Sequence, residues 1–238
     1  RLGGGLPVAE ATRAVLGASR SDVVIAKLGA VGALVLTADR QERVGPVPTD
    51  TVWPIGSGDA FSAGFAWAWA AKGADPVEAA EVGSATAAAW CSTRTMPVAV
   101  EAMAAKPPPA PKPVRVYLAG PFFDVAQRWL VELSATALRQ LGAEVFSPFH
   151  EVGVGVPDAA AQDLDGLRSG DVVLALLDGA DPGTVFEVGW ASRARIPVIS
   201  YCERCSEEDL TMIAGSGAQV FSDLSSAVYA AAWAGRGE

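Results

Sequence analysis

Asp171-Val-Val-Leu-Ala-Leu-Leu-Asp-Gly-Ala-Asp-Pro-Gly-Thr-Val-Phe-Glu-Val-Gly189 is an apolar run followed by a polar, Gly-rich turn and a helix-forming stretch. The run over Asp171–Leu177 suits a strand buried on both faces, and Thr184–Ala194 has helical periodicity. The same alternation continues in both directions. Upstream, Val114–Ala119 is apolar and β-branched, Val125–Leu141 reads as a helix, Ala143–Phe146 as a short strand and Ala159–Leu167 as a helix. Downstream, Ile196–Tyr201 reads as a strand, Glu207–Ala214 as a short helix, Gln219–Phe221 as a strand and Leu224–Ala234 as a final helix. Five strands separated by helices imply an α/β domain with a parallel sheet covered on both faces. Ligands of such sheets bind at the carboxyl ends of the strands.

Three motifs converge on that end. Tyr117-Leu-Ala-Gly-Pro-Phe-Phe123 closes the first strand, where Gly120 and Pro121 stop pairing and leave room for a ligand. Gln162-Asp-Leu-Asp-Gly-Leu-Arg-Ser-Gly-Asp171 leads into the third strand, and Asp178–Gly189 leaves it. Glu187 lies one turn into the following helix, with Gly183 and Gly189 around it. A carboxylate in that position can stabilise and trap an oxocarbenium-like sugar cation, and a second, protonated carboxyl can supply the leaving group's proton. The plainer alternatives are a surface glutamate at Glu187, a solvated Asp163, a turn-forming Asp181 before Pro182, and a core Tyr117. Ser147-Pro-Phe-His-Glu151 ends the second strand, and Phe122, Phe149 and His150 are candidates to stack a base. His150 is the only histidine, which excludes His-based triads and multi-His metal sites.

Tyr-Leu-Ala-Gly-Pro, Asp-Leu-Asp-Gly and Gly-Thr-x-x-Glu-x-Gly, in this order and spacing, resemble the nucleoside 2-deoxyribosyltransferases and their nucleotide N-hydrolase relatives, over about Val114 to Gly235. The resemblance implies a flavodoxin-like fold with Glu187 as nucleophile, Tyr117 orienting it, Asp163 beside the leaving base and Asp181 near the sugar or base. It implies a small (deoxy)nucleoside and a free nucleobase as partners, no cofactor and no metal, and a homo-oligomer in which neighbouring subunits complete each site. Transfer and hydrolysis both remain open. Hydrolase relatives hold a 5′-phosphate with Ser and Arg in the first loop; here that loop reads Gly120-Pro-Phe-Phe123, so neutral nucleosides are expected over monophosphates.

The first half reads differently. Asp22–Leu28, Gly32–Thr37 and Glu42–Val47 look like strands, while Gly58–Lys72 and Pro76–Ser92 are Ala-rich and long enough for helices. The Trp67 and Trp69 pair in the first of these suits packing. Trp53-Pro-Ile-Gly-Ser-Gly-Asp-Ala-Phe-Ser-Ala-Gly-Phe65 places Gly56-Ser-Gly-Asp59 at a helix N-terminus, where backbone N–H groups bind anions. An aspartate there can take the proton of an attacking hydroxyl. With Lys27-Leu-Gly-Ala-Val-Gly-Ala33, the pattern resembles the C-terminal part of ribokinase-like (PfkB) sugar and nucleoside kinases over about Asp22 to Ser92. That resemblance makes Asp59 the general base and Gly56, Ser57 and Gly58 the anion hole, with nucleotide along Lys27, Gly29 and the Ala79–Trp90 helix. ATP and Mg are implied only if this half is active. Ile55 stands where that family has Thr, and only Glu10 of its Asn-x-x-Glu motif is present near Pro7-Val-Ala-Glu10. The acceptor-binding half of such a kinase is not represented, so a partial ribokinase-like α/β domain used as a scaffold is expected.

Between the halves, Lys106-Pro-Pro-Pro-Ala-Pro-Lys-Pro113 favours extended polyproline II and reads as a linker, dividing the chain into 1–105, 106–113 and 114–238. Charge divides at the same place. Of 238 residues with net charge −9, residues 1–112 carry 10 basic and 10 acidic side chains, and residues 113–238 carry 8 Arg, no Lys and 17 acidic groups. This acidity argues against nucleic acid, and the absence of lysine excludes Schiff-base chemistry in the second half. The longest uncharged stretch, Leu210–Ser222, is 13 residues, too short for a membrane helix. No secretory signal is read in residues 1–20, and three cysteines suggest a reducing, cytoplasmic setting. Cys202-Glu-Arg-Cys205 is an isolated CxxC, taken as incidental spacing rather than a redox or metal motif. The chain starts with Arg rather than Met, as a fragment or processed product does.

Overall fold

The computed structural model describes residues 7–109, 112–153 and 158–234. The chain divides into two compact units, Arg1–Pro111 and Lys112–Glu238. Their boundary falls inside the Pro-rich segment, of which residues 110 and 111 lie outside the described residues. Gly235, where the transferase-like resemblance ends, lies outside them as well.

The first unit begins with a helix that its sequence did not announce, α1 (Val8–Ala18). Three short strands follow, β1 (Val24–Lys27), β2 (Ala33–Leu36) and β3 (Gln41–Val44), forming an antiparallel sheet in the order β1-β2-β3. The expected strands are thus present but shorter. Ala33, Val35 and Val44 pack with Phe61 and Ala80 of two Ala-rich helices, α2 (Ser57–Ala66) and α3 (Pro76–Thr93). The single helix expected over 58–72 is α-helical only to Ala66 and continues as a π-helical turn over Trp67–Ala71. Asp75 caps α3, its carboxylate accepting from the Val77 N–H at 2.9 Å, with Pro76 at the first helical position.

The second unit alternates strand and helix throughout: β4 (Arg115–Ala119), α4 (Val125–Gln140), β5 (Glu144–Phe146), α5 (Pro148–Glu151), α6 (Ala159–Arg168), β6 (Val172–Leu176), α7 (Pro182–Arg193), β7 (Val198–Tyr201), α8 (Glu207–Gly215), β8 (Gln219–Phe221) and α9 (Leu224–Ala234). The five strands are parallel and lie in the order β5-β4-β6-β7-β8. This second-first-third-fourth-fifth order is the flavodoxin-like one, with its topological switch beside β4. Among the described residues of this unit, only the short α5 falls where no helix was expected.

Period-2 alternation sorts the strand residues onto two faces. Val116, Leu118, Leu174 and Leu176 pack under α4 and α9, against Val131, Leu138, Ala227 and Val228. Tyr117, Ala119, Val173, Ala175 and Leu177 face the other way, against Leu167 of α6, Val188 of α7 and Ile213 of α8. The register pairs Tyr117 with Val173, so the tyrosine sits at the sheet centre, wholly buried. Among the described residues no helix is long and apolar enough to cross a membrane.

Candidate active site

Tyr117 is the buried polar side chain that β4 turns toward α6 and α7. Its ring stacks on Phe146 of β5, centroids 5.6 Å apart and 13° from parallel. Its hydroxyl donates to Glu187 Oε1 at 2.6 Å, across 70 residues of sequence. Burial, and the negative charges of Glu187 and Asp163, push the phenol well above its ordinary range, so it stays protonated and donates. Burial also raises the Glu187 carboxyl to about 7, opposed by the Tyr117 hydrogen bond and reinforced by Asp163 and Asp181. Glu187 is therefore a carboxyl poised between its two states at neutral pH, as catalytic carboxyls are.

Asp163 reaches this group from α6. Its carboxyl is also raised by burial, and its Oδ1 is buried with no hydrogen-bond partner among the described residues. An unpaired buried carboxylate oxygen costs free energy that a proton or a bound ligand would remove. α6 comes this close because Gly166 has no side chain: a Cβ there would overlap the Phe146 ring. The sequence motif Asp-Leu-Asp-Gly thus contains both the carboxyl and the gap that lets it in. Neither the role of Phe146 nor the packing reason for Gly166 was read from sequence; the adjacency of β5 and β4 creates both. Gly166→Ala is expected to destabilise the domain by roughly 1–3 kcal/mol through overpacking. Thermal unfolding measures this, and pairing it with Phe146→Leu should recover most of the loss.

The third carboxylate, Asp181, is the N-cap of α7. A single oxygen, Oδ2, accepts from the Thr184 N–H at 2.9 Å and the Thr184 hydroxyl at 3.1 Å. Its structural task is to start the helix that carries Glu187, and its charge still acts on Glu187. Gly183 lies in the first turn of that helix, its backbone beside the Asp181 carboxylate.

At the end of β4, Gly120 approaches Leu176, and Pro121 is buried. Phe122 packs against Phe123 and Phe149, centroids 5.6 and 5.4 Å apart. His150 meets Phe149 edge-on, and its Nε2 lies 3.1 Å from Glu132 of α4. His150 therefore points to a helix partner, while Phe122 and Phe149 pack against each other. Arg128 donates Nε to the Phe122 carbonyl at 2.9 Å, holding the loop by its backbone.

A cleft of about 290 Å³ opens at the same edge of the sheet but on the α4 face, lined by Trp129, Leu130, Tyr201, Asp178, Glu203 and Arg204 among others. Glu187 does not line it. Cys202 and Cys205 flank two of its lining residues, Glu203 and Arg204, and are joined in a disulfide, which corrects the reading of this CxxC as incidental. Cys91 is free and buried.

In the first unit, Gly56 takes a left-handed conformation (φ 82°) as the N-cap of α2. Asp59 is exposed in the first helical turn, and Lys27 Nζ donates to the Gly58 carbonyl at 2.8 Å and to Ser62 Oγ at 3.2 Å. The structure thus brings Lys27, Gly56, Ser57, Gly58 and Asp59 together. Gly29 begins the 3₁₀ turn after β1, between the lysine and β2.

Comparison with known proteins divides the chain in the same way. Residues 116–221 match the family model of nucleoside 2-deoxyribosyltransferase, and residues 5–97 match the pfkB family carbohydrate kinase. An uncharacterised sugar kinase of Archaeoglobus fulgidus is 40% identical over 67 residues, which are 28% of this chain and 26% of that protein. The chain therefore spans about a quarter of that curated relative's length. Among solved structures, a 2-deoxyribosyltransferase of Bacillus psychrosaccharolyticus is 28% identical, covering 47% of this chain and 88% of its own, at a TM-score of 0.41. A 2-deoxyribosyltransferase of Leishmania mexicana is 18% identical, covering 50% and 97%, at a TM-score of 0.41. A conserved protein of Enterococcus faecalis is 19% identical, covering 49% and 96%, at a TM-score of 0.40. Motifs, strand order and family match agree: residues 116–221 form a nucleoside 2-deoxyribosyltransferase domain, and residues 5–97 form a pfkB-family region.

Proposed function

We propose that the second unit transfers a 2-deoxyribosyl group between nucleobases through a covalent ester on Glu187. The observation that carries this reading is the half-buried Glu187 carboxyl held at 2.6 Å by the Tyr117 hydroxyl, with Asp163, whose Oδ1 is buried, acting on it as a second carboxyl. The Tyr117 bond occupies Oε1 and leaves Oε2 to attack the anomeric carbon. As that C–O bond forms, the C–N bond breaks and the departing base takes the proton of Asp163. An incoming base then attacks the same carbon, returns its proton to Asp163 and frees Glu187. Water in place of the base gives hydrolysis. Glu187 is ionised and Asp163 protonated in the reactive state: burial raises both carboxyls, and the Tyr117 hydrogen bond is what favours the charge on Glu187.

Neutral nucleosides are the proposed substrates, because the first loop, Gly120–Phe123, holds no Ser or Arg, and Arg128 of α4 is spent on its carbonyls. A homo-oligomer completing the site belongs to the same proposal, and sedimentation reads it.

The test is incubation with a deoxynucleoside, with and without a second free base, followed by chromatography. A new nucleoside supports transfer, and base plus free sugar supports hydrolysis. No product across a broad substrate panel would sink both. Tyr117→Phe is expected to lower kcat by about 10–100-fold, since it removes the bond that orients the nucleophile. Because that bond holds the Glu187 pKa down, the acid limb of the pH profile should also move to higher pH. An unmoved limb would deny the orienting role.

A second reading belongs to the pfkB region. Asp59 at the Gly-rich N-terminus of α2, with Lys27 beside Gly58, has the chemistry to hold a nucleotide phosphate and accept a hydroxyl proton. We propose nucleotide binding as the most this region does within the chain. Titration with ATP and Mg tests it, with Lys27→Ala expected to weaken binding and leave glycosyl transfer intact.

A further inference from the structure

The disulfide occupies a place that gives it a consequence. Cys202 and Cys205 bracket Glu203 and Arg204, and those two residues form one wall of the 290 Å³ cleft. Asp178, which also lines the cleft, gathers the same loop. Its Oδ1 accepts from the N–H groups of Glu203 at 3.0 Å and Arg204 at 2.9 Å, and lies 3.1 Å from Cys202 Sγ. The two cysteine Cα atoms are 5.8 Å apart, within the range a disulfide spans without moving the backbone. Cys202 is buried at 5% exposure, while Cys205 is partly exposed just before α8.

We propose that Cys202 and Cys205 are a reversible dithiol–disulfide pair whose state sets the Glu203–Arg204 wall of the cleft. The oxidant is a low-molecular-weight disulfide of the glutathione class. The Cys205 thiolate attacks one of its sulfurs, forming a mixed disulfide and releasing one thiolate. Cys202 loses its proton toward Asp178 and attacks the Cys205 sulfur. The Cys202–Cys205 bond forms, and the second small thiolate leaves. The two protons lost by the cysteines end on the two released thiols, and the two electrons reduce the incoming disulfide. The order of attack follows from access: Cys205 is reachable, and Cys202 is covered and faces a carboxylate that disfavours its thiolate. When the bond opens, the loop keeps its hydrogen bonds to Asp178 and the bond from the Tyr201 hydroxyl to Glu203 but loses its covalent closure, so the two charged residues gain freedom at the cleft.

The experiment uses the full chain equilibrated in mixtures of glutathione and glutathione disulfide. Denaturing alkylation and peptide mass spectrometry then read each thiol, and hydrogen exchange reads the Glu203 and Arg204 amides. Cys202 and Cys205 are expected to lose alkylation together and reversibly, with Cys91 unchanged. Cys202→Ser should trap a mixed disulfide at Cys205, and Cys205→Ser should leave Cys202 unmodified. The two amides should exchange about 10-fold faster in the reduced form. Three results would each overturn the proposal: both thiols alkylatable at every ratio, a disulfide without any change in exchange, or stoichiometric zinc held by the reduced pair that blocks oxidation. None of these readouts needs a nucleoside, so failure here is separable from failure of the transfer reading.

Discussion

Glu187→Gln is expected to lower deoxyribosyl transfer by at least about 10³-fold while the protein stays folded, since the nucleophile is lost and its shape is kept. The amide fills the same space between Tyr117 and α7 and can still accept from the Tyr117 hydroxyl, but it cannot form the glycosyl ester. Glu187→Ala removes the same chemistry and also leaves the buried Tyr117 hydroxyl without its partner, so it should be both inactive and less stable. The contrast between the two separates catalysis from folding. Wild-type protein mixed with deoxynucleoside in the absence of acceptor base, then quenched in acid, should carry a deoxyribosyl adduct on the peptide containing Glu187. Neither variant should carry it. Turnover by Glu187→Gln within about 10-fold of wild type would show that another group attacks.

The arrangement behind this expectation was partly legible in the sequence, for identifiable reasons. Runs such as Val172–Leu176 and Val198–Tyr201 are apolar enough, and their Gly- and Asp-rich boundaries sharp enough, that all five parallel strands could be read directly. Tyr117, Asp163 and Glu187 stood out because each sits in a motif, the first on a strand and the other two in the helices on either side of β6. What stayed hidden depends on which elements become neighbours. Phe146 looks like any apolar residue of a short strand until β5 pairs beside β4 and places it flat against Tyr117. Gly166 looks like a helix glycine until that ring occupies the space its Cβ would need. Cys202 and Cys205 carry no local sign of their setting, because Asp178, which organises their loop, is 24 residues away in sequence. In the first unit, α1 was missed because no apolar run or capping signal marks its start: Pro7 precedes it without a side-chain cap.

The second large effect is on pH dependence. With its carboxyl raised to about 7 by burial, Glu187 in the free enzyme is mostly protonated in mild acid and cannot attack. The value of kcat/KM is therefore expected to rise with pH along an acid limb centred near 7, well above the limb an ordinary glutamate would give. Stability should move in the opposite direction. The folded pKa lies above the unfolded one, near 4.5, so between these values the folded chain holds a proton that the unfolded chain has released. The stability this represents is complete below about 4.5, is lost as pH rises toward 7 and is gone above it, a cost of roughly 2–3 kcal/mol. Glu187→Gln has no such proton to lose. Denaturant unfolding at about pH 5 and about pH 8 should therefore show the variant gaining on wild type by about that amount at the higher pH. One group would then cause wild type to gain activity and lose stability over the same interval, as expected when a carboxylate is kept dry in order to react. An acid limb near 4.5, together with a wild-type-to-variant stability difference that does not change with pH, would mean that Glu187 is solvated and that its bond to Tyr117 is not part of a catalytic site.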